Sequence, residues 1–130
     1  MLVIDASVAV AASWSADGFE EFGDERLLAP ALLWSEARSA LHELLSRREI
    51  TREDAERAHA RLERSPIERS RHKRLGPEAW RVADELGWAK TYDAEYVALA
   101  ALFGCRLVTL DARLRRATAR LGFVVAPSDL

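Results

Sequence analysis

The chain has 130 residues, of which 49% are hydrophobic and 31% are charged, with a net charge of −2. This length and composition suit one domain with its own hydrophobic core, so we predict a single domain over residues 1–130 and exclude a disordered chain. The single cysteine, Cys105, excludes an intrachain disulfide and a cysteine metal cluster.

We expect neither a signal peptide nor a membrane span. The N-terminal apolar run has no basic residue before it and ends at Asp5. No apolar run approaches the roughly 20 residues that a membrane-spanning helix needs. Together with the lone cysteine, this predicts a soluble protein of the reducing cytoplasm.

Short apolar runs alternate with longer segments of helical periodicity. In chain order we predict a strand at 1–4, helices at 6–14 and 19–25, a strand at 27–29, helices at 30–48 and 51–64, a strand at 67–70, helices at 77–86 and 93–103, a strand at 106–110, a helix at 112–121 and a strand at 123–126. Strands that alternate with helices favour an α/β domain whose parallel sheet is covered on both faces.

Several residues refine these elements. Pro30 suits the first turn of its helix, Thr51 and Asp54 resemble a capping box, and Gly76-Pro77 is expected to precede the next helix. The segment 93–103 is predicted to be amphipathic, and Trp80 is expected in the core.

Four acidic residues occupy positions at which a buried apolar or neutral residue would cost less. Asp5 and Asp111 follow predicted strands, Glu36 borders the apolar stripe of a helix, and Asp93 opens another helix. Because parallel strands place their carboxyl ends at one edge of a sheet, we expect the four acids to converge there. Unpaired carboxylates are expensive to bury, so this convergence predicts a divalent metal site.

Each acid also has a simpler explanation. Asp5, Asp93 and Asp111 all precede predicted helices, where aspartate is a favoured N-cap worth roughly 1 kcal/mol. Glu36 would in that case be a surface residue at the edge of its stripe. These explanations account for each position but not for their joint placement.

Basic residues are concentrated in two stretches. Residues 47–74 contain ten Arg or Lys against six acids, and Arg106, Arg113, Arg115, Arg116 and Arg120 lie on both sides of Asp111 in the sequence. They indicate either solvated helix faces with i,i+4 ion pairs, such as Glu53 with Arg57, or a surface that faces phosphate.

Three motifs resemble those of the PIN-domain family, and in particular the VapC-type toxin ribonucleases. They are VIDAS at residues 3–7, TYDAEYVALA at 91–100 and LVTLDARL at 107–114. The resemblance runs from end to end, and the second motif is the most specific. It implies a three-layer α/β/α fold with a mainly parallel sheet, cleavage of RNA, and neutralisation by a cognate antitoxin.

Carried over by position, the resemblance assigns Asp5, Glu36, Asp93 and Asp111 to a pocket that binds Mg²⁺ or Mn²⁺. Asp5 and Asp93 would be direct ligands, and the other two would bind directly, bind through water or orient the attacking water. Ser7 and Thr109 match auxiliary hydroxyl residues. Some family members carry a further acid after the fourth, whereas arginines follow Asp111 here.

The resemblance also suggests a homodimer and leaves several side chains with two interpretations. Trp14, Phe19, Phe22 and Trp34 would either join the core or form an exposed groove for an antitoxin helix. Tyr92 and Tyr96 would either stack on bases or pack in the protein. Three histidines offer metal-free catalysis, but His42, His59 and His72 share no spacing, and a structural or surface role is favoured.

The function predicted from these observations is a metal-dependent endoribonuclease that acts as a toxin. The alternative is a catalytically weak PIN-like module that binds RNA or protein without cleavage. A phosphoryl-accepting receiver domain is disfavoured because no later strand ends in lysine, and a dinucleotide-binding enzyme because the first strand–helix turn lacks glycine.

Overall fold

The computed structural model describes residues 1–130 as a five-stranded sheet with helices on both faces. The strands are β1 (Leu2–Ile4), β2 (Leu27–Pro30), β3 (Ile67–Ser70), β4 (Arg106–Val108) and β5 (Val124–Val125). The helices are α1 (Ala6–Ser13), α2 (Leu32–Ser46), α3 (Arg52–Glu63), α4 (Leu75–Leu86), α5 (Tyr92–Phe103) and α6 (Ala112–Ala117). Short 3₁₀ helices occupy Glu20–Phe22, Ala119–Leu121 and Pro127–Asp129.

The strand order is β3-β2-β1-β4-β5, and every neighbouring pair is parallel. The chain runs outward from β1 to β3, crosses back to β4 and continues outward to β5. Since crossovers between parallel strands are right-handed, this reversal places the connecting helices on opposite faces. The predicted α/β/α architecture is confirmed, and the switch in direction lies between β1 and β4.

The core lies on both faces of the two central strands. Val3, Ile4, Leu107 and Val108 are fully buried, as expected for parallel strands covered by helices on both sides. On one side α1, α2 and α3 pack on one another, while α4 packs on α5 and α5 lies against β1, β2 and β4. No helix is long and apolar enough to cross a membrane.

Helix α5 differs from the predicted amphipathic helix. Its buried residues occupy most of its circumference rather than one stripe, and they are Ala94, Tyr96, Val97, Ala98, Leu99 and Ala100. The helix lies between the sheet and α4, so its charged residues are confined to its first turn. Asp93 and Glu95 lie at its first turn.

Other local predictions were wrong. Pro30 ends β2 rather than opening the helix, and α4 begins at Leu75, so Gly76-Pro77 lies inside its first turn. Trp80 is 67% exposed because α4 buries Ala79 and Val82, which point to a different side of the helix.

The aromatic residues of the N-terminal third mainly belong to the core. Phe22 and Trp34 are buried, Phe19 packs against the core, and only Trp14 is substantially exposed, at 38%. These positions do not form a continuous exposed aromatic groove, because two of the four rings are inside the protein.

The basic stretch at 47–74 consists largely of solvated helix faces. Arg57 pairs with Glu53 at 2.6 Å on the same side of α3, and Arg52 approaches Glu56 at 3.8 Å. Thr51 caps α3 by accepting a hydrogen bond from the amide of Asp54. Exposed pairs of this kind contribute little to stability, about 0.3–0.5 kcal/mol each.

Gly18 is the glycine whose substitution should cost most. A Cβ at this position would overlap the backbone carbonyl of Ala12 at the end of α1, and backbone atoms cannot turn aside as a flexible side chain would. Gly18→Ala should therefore lower the free energy of unfolding by about 2 kcal/mol or more, measured by urea denaturation.

Gly76→Ala is the matched control. A Cβ added at Gly76 meets open space, with no atom within 4 Å apart from its chain neighbours. Alanine has the higher helix propensity, but the ring of Pro77 disfavours the helical conformation of the residue before it, and the two effects offset each other. Its stability should stay within about 0.5 kcal/mol of the wild type. Equal effects of the two substitutions would contradict the steric argument.

Candidate active site

Asp5 is the most buried carboxylate of the chain. It follows β1 and caps α1, and its Oδ1 accepts a hydrogen bond from the amide of Val8 at 3.1 Å. Ser7 Oγ donates to the same oxygen at 2.6 Å, while the hydroxyl of Thr109 donates to Oδ2. The side chain is only 6% exposed. Asp5 is therefore an N-cap, as the simpler explanation predicted, but it is a buried one held by two hydroxyl groups.

Ser7 and Thr109 connect the two central strand ends. Ser7 Oγ accepts a hydrogen bond from the amide of Leu110 at 3.0 Å, and Thr109 Oγ1 accepts one from the amide of Asp111 at 3.0 Å. Both hydroxyl groups also donate to Asp5. The segment after β4 is thus fixed against the segment after β1, at the switch point of the sheet.

Asp111 was expected to follow its strand directly, and this detail is wrong. Strand β4 ends at Val108, so the fully buried Thr109 takes that position. Asp111 instead caps α6, where its Oδ1 accepts hydrogen bonds from the amides of Arg113 and Leu114 at 2.9 and 3.2 Å. Its Oδ2 has no partner in the chain, and the residue is exposed.

Glu36 is held by a residue of the opposite layer. It is half-buried beside the stripe of α2 that buries Leu33 and Ala37, and its Oε1 accepts a hydrogen bond from the hydroxyl of Tyr96 at 2.6 Å. Tyr96 itself is only 2% exposed, so its ring packs in the core. This contact fixes Glu36 against α5. An ordinary glutamate on the surface would have no such contact.

Asp93 is not an N-cap. Thr91 occupies the cap position of α5. Asp93 is the second residue of the helix, and its exposed carboxylate accepts no hydrogen bond from the chain. It lies three residues before Tyr96, which places the two on the same side of α5. The helix therefore brings Asp93 towards Glu36.

The acids influence one another electrostatically. Burial raises the pKa of Asp5, and the charge of Asp111 raises it further against the opposing hydrogen bonds. Burial likewise raises the pKa of Glu36, to which the charges of Asp93 and Asp5 add. Although Asp93 is exposed as a residue, partial loss of water around its carboxyl group raises its pKa, and the charge of Asp111 adds to the rise while that of Arg113 opposes it. Each of the four carboxylates is thus coupled to at least one other.

Glu95 is a fifth acid that the sequence did not single out. Burial and the charge of Glu36 raise its pKa. Its position two residues after Asp93 in the same motif is the signal that could have identified it.

A cleft of about 600 Å³ opens beside these acids. Its lining includes Glu36, Asp93 and Asp111, together with Lys90, Tyr92 and Arg113. One wall is the connection between α4 and α5, and another is one side of α6 with its cap Asp111. None of the three histidines lines it, which leaves no imidazole beside the carboxylates for metal-free acid–base catalysis.

The basic residues near Asp111 in sequence are dispersed in space. Arg106 opens β4 and so lies at the opposite end of the strand from the acids. Arg120 donates to the carbonyl of Glu85, and Arg115 donates to the carbonyl of Thr109 at 2.9 Å. Of the five arginines, only Arg113 lines the cleft.

The donor set has the chemistry that a hard divalent cation requires. Carboxylate oxygens are the preferred ligands of such ions, and Asp93 and Asp111 retain oxygens without partners in the chain. No three acidic, histidine or cysteine side chains stand together as a ready-made metal-binding group. The carboxylate oxygens are therefore of the type that a hard cation binds. For several of them to bind one ion, the side chains of Asp93 and Asp111 would have to move closer to the other acids.

The raised pKa of Glu36 has a consequence for stability. In the folded chain it lies above the ordinary value of 4.5, so the folded state keeps a proton that the unfolded chain has lost. Below about pH 4.5 the protonated Glu36 makes its full contribution to the free energy of unfolding. This contribution is lost as the pH rises through the pKa that Glu36 has in the folded state.

Glu36→Gln should test this dependence, because glutamine keeps an oxygen for Tyr96 and removes the charge. In EDTA, the wild type should lose stability between about pH 4 and about pH 7 as Glu36 ionises, whereas the glutamine of the variant does not titrate. The free energy of unfolding of Glu36→Gln minus that of the wild type should therefore increase over this range. Urea denaturation across that range measures it, with exposed Glu49→Gln as the control that should give a flat difference. A flat difference for Glu36→Gln would contradict the proposed burial of charge.

The chain is similar to known proteins in both sequence and fold. The sequence model of the PIN domain matches residues 2–119. Ribonuclease VapC9 of Mycobacterium tuberculosis H37Rv is 36% identical over 115 residues, which are 88% of each chain. VapC ribonuclease Mb0985 of Mycobacterium bovis has the same identity and coverage. The crystal structure of PAE2754 from Pyrobaculum aerophilum superposes with a TM-score of 0.74 at 25% identity, covering 98% of this chain and 90% of the other.

Proposed function

The chain belongs to the PIN-domain family, and we propose that it is a metal-dependent endoribonuclease of the VapC type, the toxin of a toxin–antitoxin pair. Its reaction is the hydrolysis of phosphodiester bonds in RNA. The observation that carries this proposal is the coupling of four carboxylates beside one cleft at the sheet's switch point. The similarity to named ribonucleases over 88% of the chain supports it.

Asp5 and Asp93 are the proposed direct ligands of Mg²⁺ or Mn²⁺. Asp5 is held rigidly by Ser7 and Thr109, whereas Asp93 has no partner in the chain and is free to adjust. The site thus combines one fixed ligand with a mobile one, which suits small hard cations that demand regular geometry.

Glu36 and Asp111 complete the proposed site, by binding directly, by binding through water or by orienting the attacking water. The hydroxyl of Tyr96 fixes one oxygen of Glu36, and the amides that open α6 fix one oxygen of Asp111. In each case the other oxygen remains available as an acceptor. Residues that hold ligands in place in this way commonly affect metal affinity 10- to 100-fold, on the order of 1–3 kcal/mol.

A divalent cation, when bound, would neutralise the phosphate charge and ease the deprotonation of water. The remaining work falls to the protein side chains. Asp93 and Asp111 face the cleft that receives the phosphate, while the raised pKa values of Asp5 and Glu36 mark a shielded region in which charge interactions are strong.

We further propose that residues 1–130 form one domain, that it assembles as a homodimer in the cytoplasm, and that a cognate antitoxin protein neutralises it. The similarity to proteins named VapC ribonucleases supports the toxin role, and a toxin of this type implies an antitoxin partner. An RNA- or protein-binding module without cleavage is the alternative. The observation that favours it is that no three of the acids stand together as a ready-made metal-binding group.

RNA cleavage tests the proposed function. The purified protein should cut RNA with Mg²⁺ or Mn²⁺ and not with EDTA. Asp93→Asn should lower the rate at least about 100-fold, because the cation that neutralises the phosphate charge loses a direct ligand, while exposed Asp84→Asn on α4 should leave the rate unchanged. Cleavage that survives both EDTA and Asp93→Asn would overturn the metal-dependent mechanism.

Metal binding should also stabilise the fold. At a free concentration of 100 times Kd, the ion should add about 2.7 kcal/mol to the free energy of unfolding, which is measurable as a rise in Tm. Asp93→Asn should remove this rise, and Asp84→Asn should keep it. If the wild type shows neither a metal-induced rise in Tm nor cleavage, the binding-module alternative is favoured.

A further inference from the structure

The end of the basic stretch, residues 69–74, differs from the rest of that stretch. This segment contains no acid, and its arginine and lysine residues are Arg69, Arg71, Lys73 and Arg74. On α3, by contrast, Arg57 pairs with Glu53 one turn away. The four basic side chains of the segment are exposed and take part in no ion pair.

The acids that flank the segment in the sequence are already engaged. Glu68 accepts two hydrogen bonds from Arg26, both at 2.8 Å. Glu78 accepts hydrogen bonds from Arg81, which lower its pKa, and the charge of Arg74 contributes to the fall without an ion pair. The positive charge of the segment is therefore left without a direct partner in the protein and remains available for an external anion.

The segment has a defined shape before any ligand binds. The Nδ1 atom of His72 accepts a hydrogen bond from the amide of Arg74 at 3.1 Å. The ring of His72 packs edge-on against Phe103, with the ring centroids 5.6 Å apart. At the other end, the guanidinium of Arg69 lies 4.6 Å from the ring centroid of Trp34. Little conformational entropy of the backbone would therefore be lost on binding.

The segment lies away from the acidic cleft. Phe103, which His72 contacts, is the last residue of α5, whereas Asp93 is in the first turn of the same helix. The ten positions between them correspond to about 15 Å along the helix axis. None of residues 69–74 lines the cleft. The segment is thus a charged surface of its own.

The chemistry of this surface fits the phosphate backbone of a nucleic acid. Most of its cations are arginines, whose planar guanidinium group binds phosphate through two parallel hydrogen bonds. A lone phosphate would engage only part of the surface, whereas a polyanion can engage all of it. An acidic protein fits less well, because protein interfaces depend on apolar anchors and residues 69–74 expose none.

From these observations we propose that residues 69–74 hold the phosphate backbone of a nucleic acid outside the acidic cleft. Arg71, Lys73 and Arg74 supply most of the charge, since Arg69 also stacks on Trp34. Contacts of this kind give affinity without reading sequence. RNA and DNA share this backbone chemistry, so both should bind. The surface is separate from the proposed catalytic function, because it needs neither the metal nor the acids.

The salt dependence of duplex binding tests this surface. Fluorescence anisotropy is measured with fluorescein-labelled RNA and DNA duplexes of one sequence, in EDTA so that metal-dependent cleavage does not interfere. The triple variant Arg71→Ala, Lys73→Ala and Arg74→Ala should lower the slope of log Kd against log salt by up to about 2.7, since each phosphate contact to a duplex contributes about 0.9. Its Kd at about 0.1 M salt should rise at least about tenfold.

A second triple variant removes the same amount of charge elsewhere. Arg47→Ala, Arg52→Ala and Arg57→Ala remove arginines that pair with acids of α2 and α3, and together they should retain the wild-type slope. The double variant Arg71→Lys and Arg74→Lys keeps the charge of the segment and should also retain the slope. Because the side chains of the segment that are replaced form no hydrogen bond or ion pair, every segment variant should keep the wild-type Tm.

The two duplexes distinguish the sources of the phosphate backbone. A reduced slope with only one of them supports the surface and identifies its ligand as that nucleic acid. Equal slopes in the two triple variants, with both duplexes, would overturn the proposal. So would a segment variant that binds both duplexes normally and loses affinity only for a labelled polyglutamate peptide, since that result would assign the surface to an acidic protein.

The ribonuclease function can fail independently of this surface. Metal-dependent cleavage by the wild type, together with an unchanged slope in the segment triple variant, would overturn the surface and leave the ribonuclease assignment intact. A reduced slope in a protein whose wild type neither cleaves RNA nor gains Tm with metal would support the surface, while the ribonuclease assignment would fail.

Discussion

The buried carboxylate of Asp5 is the contact on which the site depends. It joins the end of β1 to the segment after β4 through the hydroxyl groups of Ser7 and Thr109. An aspartate at 6% exposure would be costly without such partners. Ser7 and Val8 donate from the first turn of α1, and the fold brings the third donor, Thr109, from the segment after β4. The reversal of strand order between β1 and β4 creates the space, and the hydrogen bonds fix its geometry.

The acids oppose the stability of the chain that carries them. Burial and mutual repulsion raise the pKa values of Asp5, Glu36 and Asp93, so their ionised forms are held at a cost near neutral pH. A domain selected for stability alone would not gather these three acids in one region. Their retention in one region is understandable if a cation and a phosphate supply the compensating charges, and strain of this kind is typical of sites with a chemical task.

The cleft combines charges of both signs with an exposed ring. Its carboxylates suit a cation, Lys90 and Arg113 place positive charge beside them, and Tyr92 exposes an aromatic ring. Helix α5 unites these features, since its first turn carries Tyr92 and Asp93 while its buried Tyr96 holds Glu36. Because the rest of α5 is apolar and packed between the sheet and α4, its N-terminal turn has little freedom to move.

Local sequence patterns were enough to predict the succession of strands and helices, because apolar runs and helical periodicity are local properties. It also singled out Asp5, Glu36, Asp93 and Asp111, since an acid beside a buried strand or stripe is visible without coordinates. Some details were beyond it. Trp80 is exposed and α5 is buried nearly all round, because the side of a helix that meets the core depends on where its neighbours lie.

The contacts that hold the acids, and the residues that surround them, depend on the packing of distant parts of the chain. The contact between Glu36 and Tyr96 spans 60 positions, and that between Asp5 and Thr109 spans 104. Arg113 enters the cleft while Arg106 lies at the opposite end of β4, although both are near Asp111 in sequence. Local patterns carry no information about such distances, which follow from the strand order and from the packing of α5 against the sheet.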